Sequence, residues 1–208
     1  MKKLALIALV APAFAGTPEP VVAAAPAPAA PCCALELGVS GNYAAKDLFK
    51  HTANKEIDTV GIDLTAVHSF TPKHALTFRI GGAQGDETQR AISTRLKTHL
   101  RTISIMPGYR FTQPIAEKTS LFCGVNGGLV NQHVHAKTTG VTNVSLDDSA
   151  WGLGATAEAG VRYQLCPCSE IFAAYELSGN DIHNNFGHAL KTHRQIHNGV
   201  RAGVGIKF

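Results

Sequence analysis

The sequence predicts an all-β chain that folds as an eight-stranded, antiparallel, up-and-down transmembrane β-barrel with its N- and C-termini on the periplasmic side. Three observations in the 208 residues support this fold class. The chain starts like a secreted protein, its later segments alternate apolar and polar residues, and the connections between these segments are of two kinds, short and long. A run of about twenty apolar residues, which a transmembrane helix needs, does not occur.

The start of the chain has the features of a secretory signal peptide. Two early lysines are followed by an apolar run over residues 4–10 and by the small-x-small site Ala13-Phe14-Ala15. We therefore expect a signal peptide over residues 1–15, cleaved after its last alanine. Residues 16–33 are rich in alanine and proline, a composition that cannot build a core and predicts a semi-extended spacer. The barrel is then expected over residues 34–208.

The alternation is clearest in two segments near the C-terminus. In residues 151–165 one face is apolar and the other is polar or glycine, and residues 194–208 repeat this pattern. A helix would distribute the apolar residues around its circumference, whereas a strand places them on one face. Each apolar face continues for about ten residues, which is the length that a tilted strand needs to cross a bilayer. These segments are therefore predicted to be membrane-spanning strands.

The polar faces of the strands combine glycine with a few full charges. A narrow barrel interior needs small residues and paired charges, whereas the water-facing side of a soluble β-sandwich does not need glycine. We therefore predict a closed barrel whose lumen is filled by ion pairs, since unpaired charges there would be costly. The residues predicted to form this lumen charge network are Glu36, Asp63, Arg79, Arg110, Glu158, Arg162, Glu176, Arg201 and Lys207.

The alternation divides the domain into eight strands. Their predicted ranges are 34–45, 57–69, 75–84, 96–111, 120–136, 150–165, 171–180 and 193–208. Short or proline-marked connections are predicted at 71–73, 113–114 and 166–168, and longer polar loops at about 46–56, 85–95, 137–149 and 181–192. Long loops outside the cell and short periplasmic turns are typical of such barrels. The pattern is irregular at 96–101 and 129–136, which we interpret as a bulge near the rim.

Aromatic residues are placed near both ends of the predicted apolar faces. Those expected at the periplasmic ends are Tyr109, Phe111, Tyr163 and Phe208, and those expected near the external ends are Tyr43 and Trp151. Two aromatic girdles at the bilayer boundaries are a feature of transmembrane barrels. The alternative interpretation is a set of scattered core aromatics.

The last ten residues, 199–208, alternate glycine or charged residues with apolar ones and end in Phe208. This stretch resembles the closing strand of outer-membrane β-barrels, and the whole domain is similar to the small eight-stranded family of the OmpA membrane domain and OmpX type. The resemblance implies a location in the bacterial outer membrane and contact with outer-membrane lipid. It also implies that Phe208 is the assembly signal that the barrel assembly machinery reads.

Three of the ten histidines are predicted to converge. Folding the hairpin about its turn places His99 roughly opposite His133, and His133 and His135 share one face of a strand. Neutral imidazoles that converge in this way bind Zn²⁺ or Cu²⁺, so a surface metal site is one hypothesis. The other hypothesis is that these histidines serve as polar residues on exposed strand extensions.

Four cysteines are expected at the periplasmic end of the barrel, in an oxidising compartment. They are Cys32, Cys33, Cys166 and Cys168. A disulfide between the 32/33 pair and the 166/168 pair is predicted, because it would tie the end of the spacer to the barrel floor; a metal site and free thiols are the alternatives. Cys123 falls on a lipid-facing strand position, where we expect it to be a packing residue.

The preferred function is a closed, non-catalytic barrel that stabilises the outer membrane and presents four loops to an extracellular ligand or surface. A narrow porin-like channel for small solutes is the first alternative, and a lipid A-modifying enzyme is the second. Glu158 and Glu176 are expected in the lumen and away from lipid, so we expect no catalytic residue and no cofactor. The mature chain is near neutral and has no basic tract, so nucleic acid is not an expected partner, and a monomer is expected.

Overall fold

The structure is a computed structural model that describes residues 33–44, 58–91, 94–140, 144–182 and 195–208. The predicted signal peptide lies outside these residues, as does the predicted spacer apart from Cys33. Most of the predicted loops at 46–56 and 181–192 also lie outside them. Within the described ranges, no helix is long and apolar enough to cross a membrane.

Eight antiparallel strands form one closed barrel. Their bounds are β1 Cys33–Ala44, β2 Thr59–Ser69, β3 His74–Ala91, β4 Thr94–Pro114, β5 Thr119–Gly140, β6 Val144–Cys166, β7 Ser169–Ile182 and β8 Gln195–Lys207. Each strand pairs with its neighbours in sequence, and β1 pairs with β8 from Ala34↔Lys207 to Ala44↔His197. Closure removes the free edges of the sheet, as a sheet embedded in lipid requires. The predicted eight-stranded antiparallel barrel is confirmed.

The strands differ in length, and this corrects two predicted loops. β3, β4, β5 and β6 contain 18, 21, 22 and 23 residues, whereas the other four strands contain 12, 11, 14 and 13. The stretches 85–95 and 137–149, predicted as loops, lie mostly in paired strands, as the pair Lys137↔Ser145 shows. A polar strand outside the bilayer still satisfies its backbone groups by pairing. The four strands therefore project as a sheet beyond the rest of the barrel, at what we term the long-hairpin end.

The opposite end, the short-turn end, has three compact connections. Residues 70–73, 115–118 and 167–168 form these turns. The first and third match the predicted connections at 71–73 and 166–168 to within one residue. At the second, β4 continues to Pro114, so the turn begins one residue later than the predicted range ends.

The predicted bulge near the rim is wrong. β4 and β5 pair without a register shift from Thr94↔Gly140 to Pro114↔Ser120, and this range includes both irregular stretches. The irregularity in the sequence has a different origin, which is a reversal of polarity along the two strands described below. The register does shift between Gln164 and Cys166, at the short-turn end of β6 and β7.

The outer surface of the barrel carries a continuous apolar belt. Exposed members include Leu37, Ile62, Leu64, Phe78, Ile80, Ile103, Ile105, Leu121, Val125, Leu129, Leu153, Val161, Ile171, Leu177, Val200 and Val204. A barrel in water would bury such side chains, so a lipid bilayer is the surrounding that this surface requires. Cys123 lies exposed on the same outer surface of β5.

Aromatic side chains lie at the two limits of the belt. Tyr109, Phe111, Tyr163 and Phe208 lie at the short-turn end, and the exposed Trp151 lies towards the long-hairpin end. The side chain of Tyr43 is outside the described part of the chain. Aromatic rings at these positions match the boundaries of a lipid-embedded surface.

Gly203 allows β8 to close against β1 around an aromatic ring. A Cβ atom at this position would lie 2.0 Å from the backbone oxygen of Leu37 and 2.7 Å from Cζ of Phe172. Outward-facing Gly82 is different, because a Cβ there would come no closer than 3.7 Å to the backbone oxygen of Thr102. Close approach of the neighbouring strand and ring therefore requires glycine at position 203, whereas position 82 has room for a larger residue.

Candidate functional site

The barrel interior contains ten charged side chains, among the residues that the structure describes, that form one ion-pair network. The acidic members are Glu36, Asp63, Glu158, Glu170 and Glu176, and the basic members are Arg79, Arg110, Arg162, Arg201 and Lys207. The five negative and five positive formal charges balance. Seven of the eight strands contribute a member. All nine residues predicted from the alternation lie in this network.

Glu36 is the centre of the network and is fully buried. Arg110 donates to both of its carboxylate oxygens, at 2.6 and 3.1 Å. Arg162 Nη2 lies 2.5 Å from Oε1, and Arg201 Nη2 lies 3.8 Å from Oε2. Arg110 also reaches Glu158 at 3.0 Å, which connects this cluster to its neighbours. Three guanidinium groups thus surround one carboxylate that would be costly to bury alone.

Arg79 and Arg201 extend the network towards the long-hairpin end. Arg79 donates to Glu158 Oε2 and to Glu176 Oε2, each at 2.6 Å. Arg201 holds Asp63 with two groups, since Nη2 lies 2.5 Å from Oδ1 and Nε lies 2.9 Å from Oδ2. These charge-assisted contacts fix the planar guanidinium groups across the interior.

Glu170 is the member of the network that the sequence analysis missed. It pairs with Arg162 and accepts a hydrogen bond from Lys207 Nζ at 2.7 Å. The predicted seventh strand begins one residue after Glu170, which leaves Glu170 between the predicted turn and the predicted strand, whereas β7 begins one residue before it. Its period-two spacing from Glu176 is the signal that identifies it as inward-facing.

Two phenylalanine rings fill the space between the ion pairs. Phe122 and Phe172 are buried with their ring centroids 6.4 Å apart in an edge-to-face arrangement. The guanidinium carbon of Arg162 lies 4.7 Å from the Phe122 centroid, and that of Arg201 lies 4.6 Å from the Phe172 centroid. Cation–π contact stabilises such a layer. Rings and ion pairs together form a plug across the short-turn half of the barrel.

A cavity of about 90 Å³ lies between this plug and the long-hairpin end. Its wall includes the polar residues Asn42, Thr59, Thr102, Ser178 and Asn180. Its floor is formed by the charged groups of Asp63, Arg79 and Glu176, which belong to the network. Leu100, Met106 and Val130 also line the cavity, so it is a pocket of mixed polar and apolar lining that the network closes from below.

β4 and β5 reverse their polarity where they leave the apolar belt. On β4 the outward residues are apolar at Ile103 and Ile105, but the next outward residue towards the long-hairpin end is Arg101. The inward side changes in the opposite sense, because the apolar Leu100 is buried in the projecting sheet. A sheet with one face in water and the other on a core has this pattern. The reversal explains the irregular alternation without a bulge.

Four outward-facing basic side chains of the projecting sheet form a surface that we term the basic hairpin face. They are Arg95, Lys97, Arg101 and Lys137, and all four are exposed. Lys97 lies directly opposite Lys137 in the β4–β5 register. Like charges in direct cross-strand pairs are unfavourable, so this pair lacks the compensation that the interior charges have.

The three histidines predicted to bind metal lie beside the basic hairpin face and pair with aspartates. His99 Nδ1 lies 2.5 Å from Asp86 Oδ1, while His133 Nε2 and His135 Nδ1 lie 3.1 and 3.6 Å from the carboxylate of Asp147. His99 is opposite His135, not His133 as predicted. No group of three or more metal-ligating side chains is arranged to hold a metal ion in the described ranges. The two aspartates were not predicted as partners, because both fall in stretches whose sequence predicts loops.

The described cysteines do not form the predicted tie between the spacer and the barrel floor. Cys33 Sγ lies 3.6 Å from Nδ1 of His68 on β2. The thiols of Cys166 and Cys168 lie 3.1 Å apart and contact each other. β8 lies between β1 and β7 and so separates Cys33 from the 167–168 turn. Cys32, the other predicted partner, lies outside the described residues.

Solved structures of outer-membrane proteins share this fold. Neisserial surface protein A is similar with a TM-score of 0.50 and 15% identity, over 85% of this chain and 97% of that chain. A major outer membrane protein from Thermus thermophilus is similar with a TM-score of 0.50 and 10% identity, over 85% of this chain and 99% of that chain. No protein-family model and no curated protein matches the sequence. At these identities the likeness establishes the fold.

The closed barrel, its apolar belt and its ion-paired interior define the class of protein. The chain has the fold of the small eight-stranded outer-membrane β-barrels, and its outer surface requires a bilayer. The protein is therefore located in the bacterial outer membrane.

Proposed function

We propose that the protein is a non-catalytic barrel that binds phosphate-bearing lipid headgroups of the outer leaflet with its basic hairpin face, and so stabilises the cell surface. In this proposal the short turns are periplasmic and the long hairpins are extracellular, as in other such barrels. The observation that supports it is the reversal of polarity along β4 and β5, because the reversal places four exposed cations directly beyond an apolar belt.

The depth of the basic hairpin face fits a headgroup region. Arg101 lies two positions beyond the belt residue Ile103 in the direction of the long-hairpin end, and this spacing is about 7 Å along a strand. The polar layer on each side of the hydrocarbon core has a similar thickness. Lys97 and Lys137 lie farther out, about 20 Å along the strand from the level of Ile103. Strand tilt reduces this height to about 14 Å above the belt, and the long lysine side chains can extend back towards phosphates at the top of the headgroup layer. A phosphate between the two lysines would offset their repulsion, and arginine and lysine are the usual partners of phosphate.

The interior supports a barrel that neither conducts nor catalyses. The plug of ion pairs and aromatic rings occupies the short-turn half, and its charges are held by partners on strands across the interior. Single-channel recording across a planar bilayer tests this part of the proposal. We expect no current from protein that is shown to be inserted, whereas discrete and reproducible steps would favour a narrow pore.

Trp151 provides a direct test of the headgroup proposal. It is the single tryptophan of the sequence, it is 60% exposed on the outer surface, and it lies opposite Asn131, two positions along β5 from His133. The full chain is placed in zwitterionic bilayers that contain a small fraction of brominated lipid, which quenches tryptophan fluorescence on contact. We expect stronger quenching when the brominated lipid is anionic than when it is zwitterionic, because the basic hairpin face concentrates anionic lipid nearby.

The matched variants compare charge at the two ends of the barrel. The triple variant Lys97→Gln, Arg101→Gln, Lys137→Gln should lose the difference between the two brominated lipids. Lys118→Gln removes an exposed charge from the 115–118 turn at the other end and should retain the difference. Equal quenching by both lipids in the unaltered protein would contradict the proposal. A difference that persists in the triple variant would contradict it as well.

A further inference from the structure

The turn between β6 and β7 brings two thiols into contact. Cys166 is the last residue of β6, Pro167 and Cys168 form the turn, and Cys166 pairs with Ser169 at the start of β7. The sulfur atoms lie 3.1 Å apart, so a disulfide requires an approach of about 1 Å. The turn is also anchored, because the backbone N–H of Lys207 donates to the backbone oxygen of Cys168 at 2.8 Å.

We propose that Cys166-Pro167-Cys168 is a thiol–disulfide exchange site, whose co-reactant is a small-molecule disulfide. The site is accessible, since Cys168 is exposed and Cys166 is half-buried. Proline restricts the turn and keeps the two thiols close. The site lies at the opposite end from the basic hairpin face and does not depend on the lipid-binding function proposed above.

The surroundings make Cys166 the attacking thiol. The apolar outer face of β6 ends at Leu165, so Cys166 lies just beyond the membrane-spanning segment. The Ser169 hydroxyl lies 2.9 Å from its sulfur and, with the Cys168 thiol, lowers the pKa of Cys166 to about 7. The same contact with Cys166 raises the pKa of the Cys168 thiol. Near neutral pH the two thiols are therefore unequal, and the thiolate form is concentrated on Cys166.

The charged residues on the strands and turn that pack beside Cys166 have other partners. Glu170 on β7 and Lys207 on β8 pair with each other at 2.7 Å. Lys118, in the adjacent turn, accepts a backbone hydrogen bond from Gln164 at 2.8 Å through its carbonyl oxygen. The lowered pKa of Cys166 comes from the hydroxyl and thiol donors at the turn and not from these charges.

The exchange proceeds in two balanced steps. The Cys166 thiolate attacks one sulfur of the small disulfide, a mixed disulfide forms on Cys166, and one thiolate leaves. Cys168 then loses its proton and attacks the Cys166 sulfur, which breaks the mixed disulfide and releases the second thiolate. Two electrons pass from the pair of thiols to the small disulfide, and two protons complete the two released thiols. The second step is intramolecular and is favoured by the contact of the two sulfurs.

Oxidised glutathione tests the proposal on the full chain. The background variant replaces Cys32, Cys33 and Cys123 with serine, and the heat-dependent gel shift of folded barrels verifies its structure. Mass spectrometry should show that the folded variant loses two hydrogen atoms and retains no glutathione, and that dithiothreitol reverses the change. Peptide mapping of the unaltered protein should find the same bond between residues 166 and 168, which keeps the test valid if the background variant does not fold.

Single replacements assign the two roles. In the background variant, Cys168→Ser should retain one glutathione on Cys166, because the resolving thiol is absent. Cys166→Ser should react about three-fold more slowly at pH 7, since a thiol of ordinary pKa has about fifteen-fold less thiolate but each thiolate is about five-fold more nucleophilic. Accumulation of two glutathione groups in the background variant would overturn the proposal. A bond mapped to Cys32 or Cys33 in the unaltered protein would also overturn it.

Ser169 is expected to act as a positioning residue, through the pKa of Cys166. The rate of the first step should rise with pH and level off above about pH 7. Ser169→Ala should move this midpoint towards the ordinary thiol value of about 8.5, and Ser169→Thr should restore it because the hydroxyl is retained. An unchanged pH profile in Ser169→Ala would remove Ser169 from the mechanism and with it the proposed preference for Cys166.

Discussion

The membrane-embedded part and the projecting part of β4 and β5 belong to the same two strands but have opposite polarity. In the embedded part the outward residues, such as Ile105 and Val125, are apolar, and inward Arg110 forms ion pairs with Glu36 and Glu158. In the projecting part, outward residues such as Lys97 are charged and inward Leu100 is buried. The backbone pairing and register do not change between the two parts.

The difference shows that the medium outside the barrel determines which face of a strand is charged. Lipid cannot solvate charge, so charged side chains in the embedded part face inward and must pair with each other. Water solvates the outer face of the projecting sheet, so its charges face outward and Leu100 is buried on its inner face, beyond the small core that Met106 and Val130 form with Ala150. The boundary between the two regimes lies near Ile103 on β4 and Leu129 on β5.

The largest effect is expected at Glu36, the centre of the embedded network. Glu36→Gln leaves three arginine side chains without their shared charge partner and should lower the free energy of unfolding by about 3–5 kcal/mol. Urea unfolding of the full chain in lipid vesicles, followed by the heat-dependent gel shift, measures this change. Glu117→Gln removes an exposed carboxylate from the 115–118 turn and is the matched control. Equal stability of the two variants would show that the interior charges are not coupled as described.

A new charge on the outer face of β5 tests the boundary between the two parts. Val125→Arg places a cation in the apolar belt and should cost about 2–4 kcal/mol of unfolding free energy, whereas His135→Arg on the projecting part should cost about 0–1 kcal/mol. Both residues face outward on the same strand. The same unfolding assay compares them. A similar loss of unfolding free energy in both variants would mean that residues 125 and 135 lie in the same medium, and that the boundary of the lipid does not fall between them.

Close approach of β8 to β1 predicts an intermediate effect inside the barrel. Gly203→Ala places a methyl group against the Leu37 backbone and the Phe172 ring and should cost about 1–3 kcal/mol through overpacking. Gly82→Ala adds the same methyl group on the outer face of β3, where its nearest contact is an ordinary 3.7 Å to the backbone oxygen of Thr102, and should change stability by about 0.5 kcal/mol or less. Comparison of the two variants separates the cost of overpacking from the effect of replacing a glycine in a strand. A neutral Gly203→Ala would indicate that the strands can move apart at no cost.

The smallest effect is expected at the opposed lysines of the projecting part. Lys97→Gln should stabilise the barrel by about 0.2–1 kcal/mol in zwitterionic bilayers, because it removes a like-charge pair. In bilayers with anionic lipid the gain should shrink or reverse, because the bound headgroups already compensate both lysines. Unfolding is measured in the two lipid mixtures, with Lys118→Gln as the control. A gain of equal size in both mixtures would argue against headgroup binding.

Local chemistry made much of the interior predictable. Period-two alternation in a chain assigns each residue to one face, so Arg110, Glu158 and Arg201 were expected in the lumen, and the structure places them there. The same assignment failed where the medium outside the barrel changes from lipid to water. In lipid the polar residues of a strand face inward, whereas in water they face outward. Stretches 96–101 and 129–136 therefore looked like a bulge, although the pairing continues through them.

The sequence by itself determined the secreted β-barrel class, the number of strands and the side on which nine interior charges lie, because a period of two and its chemistry are local properties. Tertiary structure alone decided how far β3 to β6 extend, that Glu170 completes the charge balance, and that Asp147 pairs with His133 and His135. It also decided that Cys166 meets Cys168 and not the cysteine at the start of β1. These features depend on cross-strand register and barrel closure, which relate residues that are distant in the sequence.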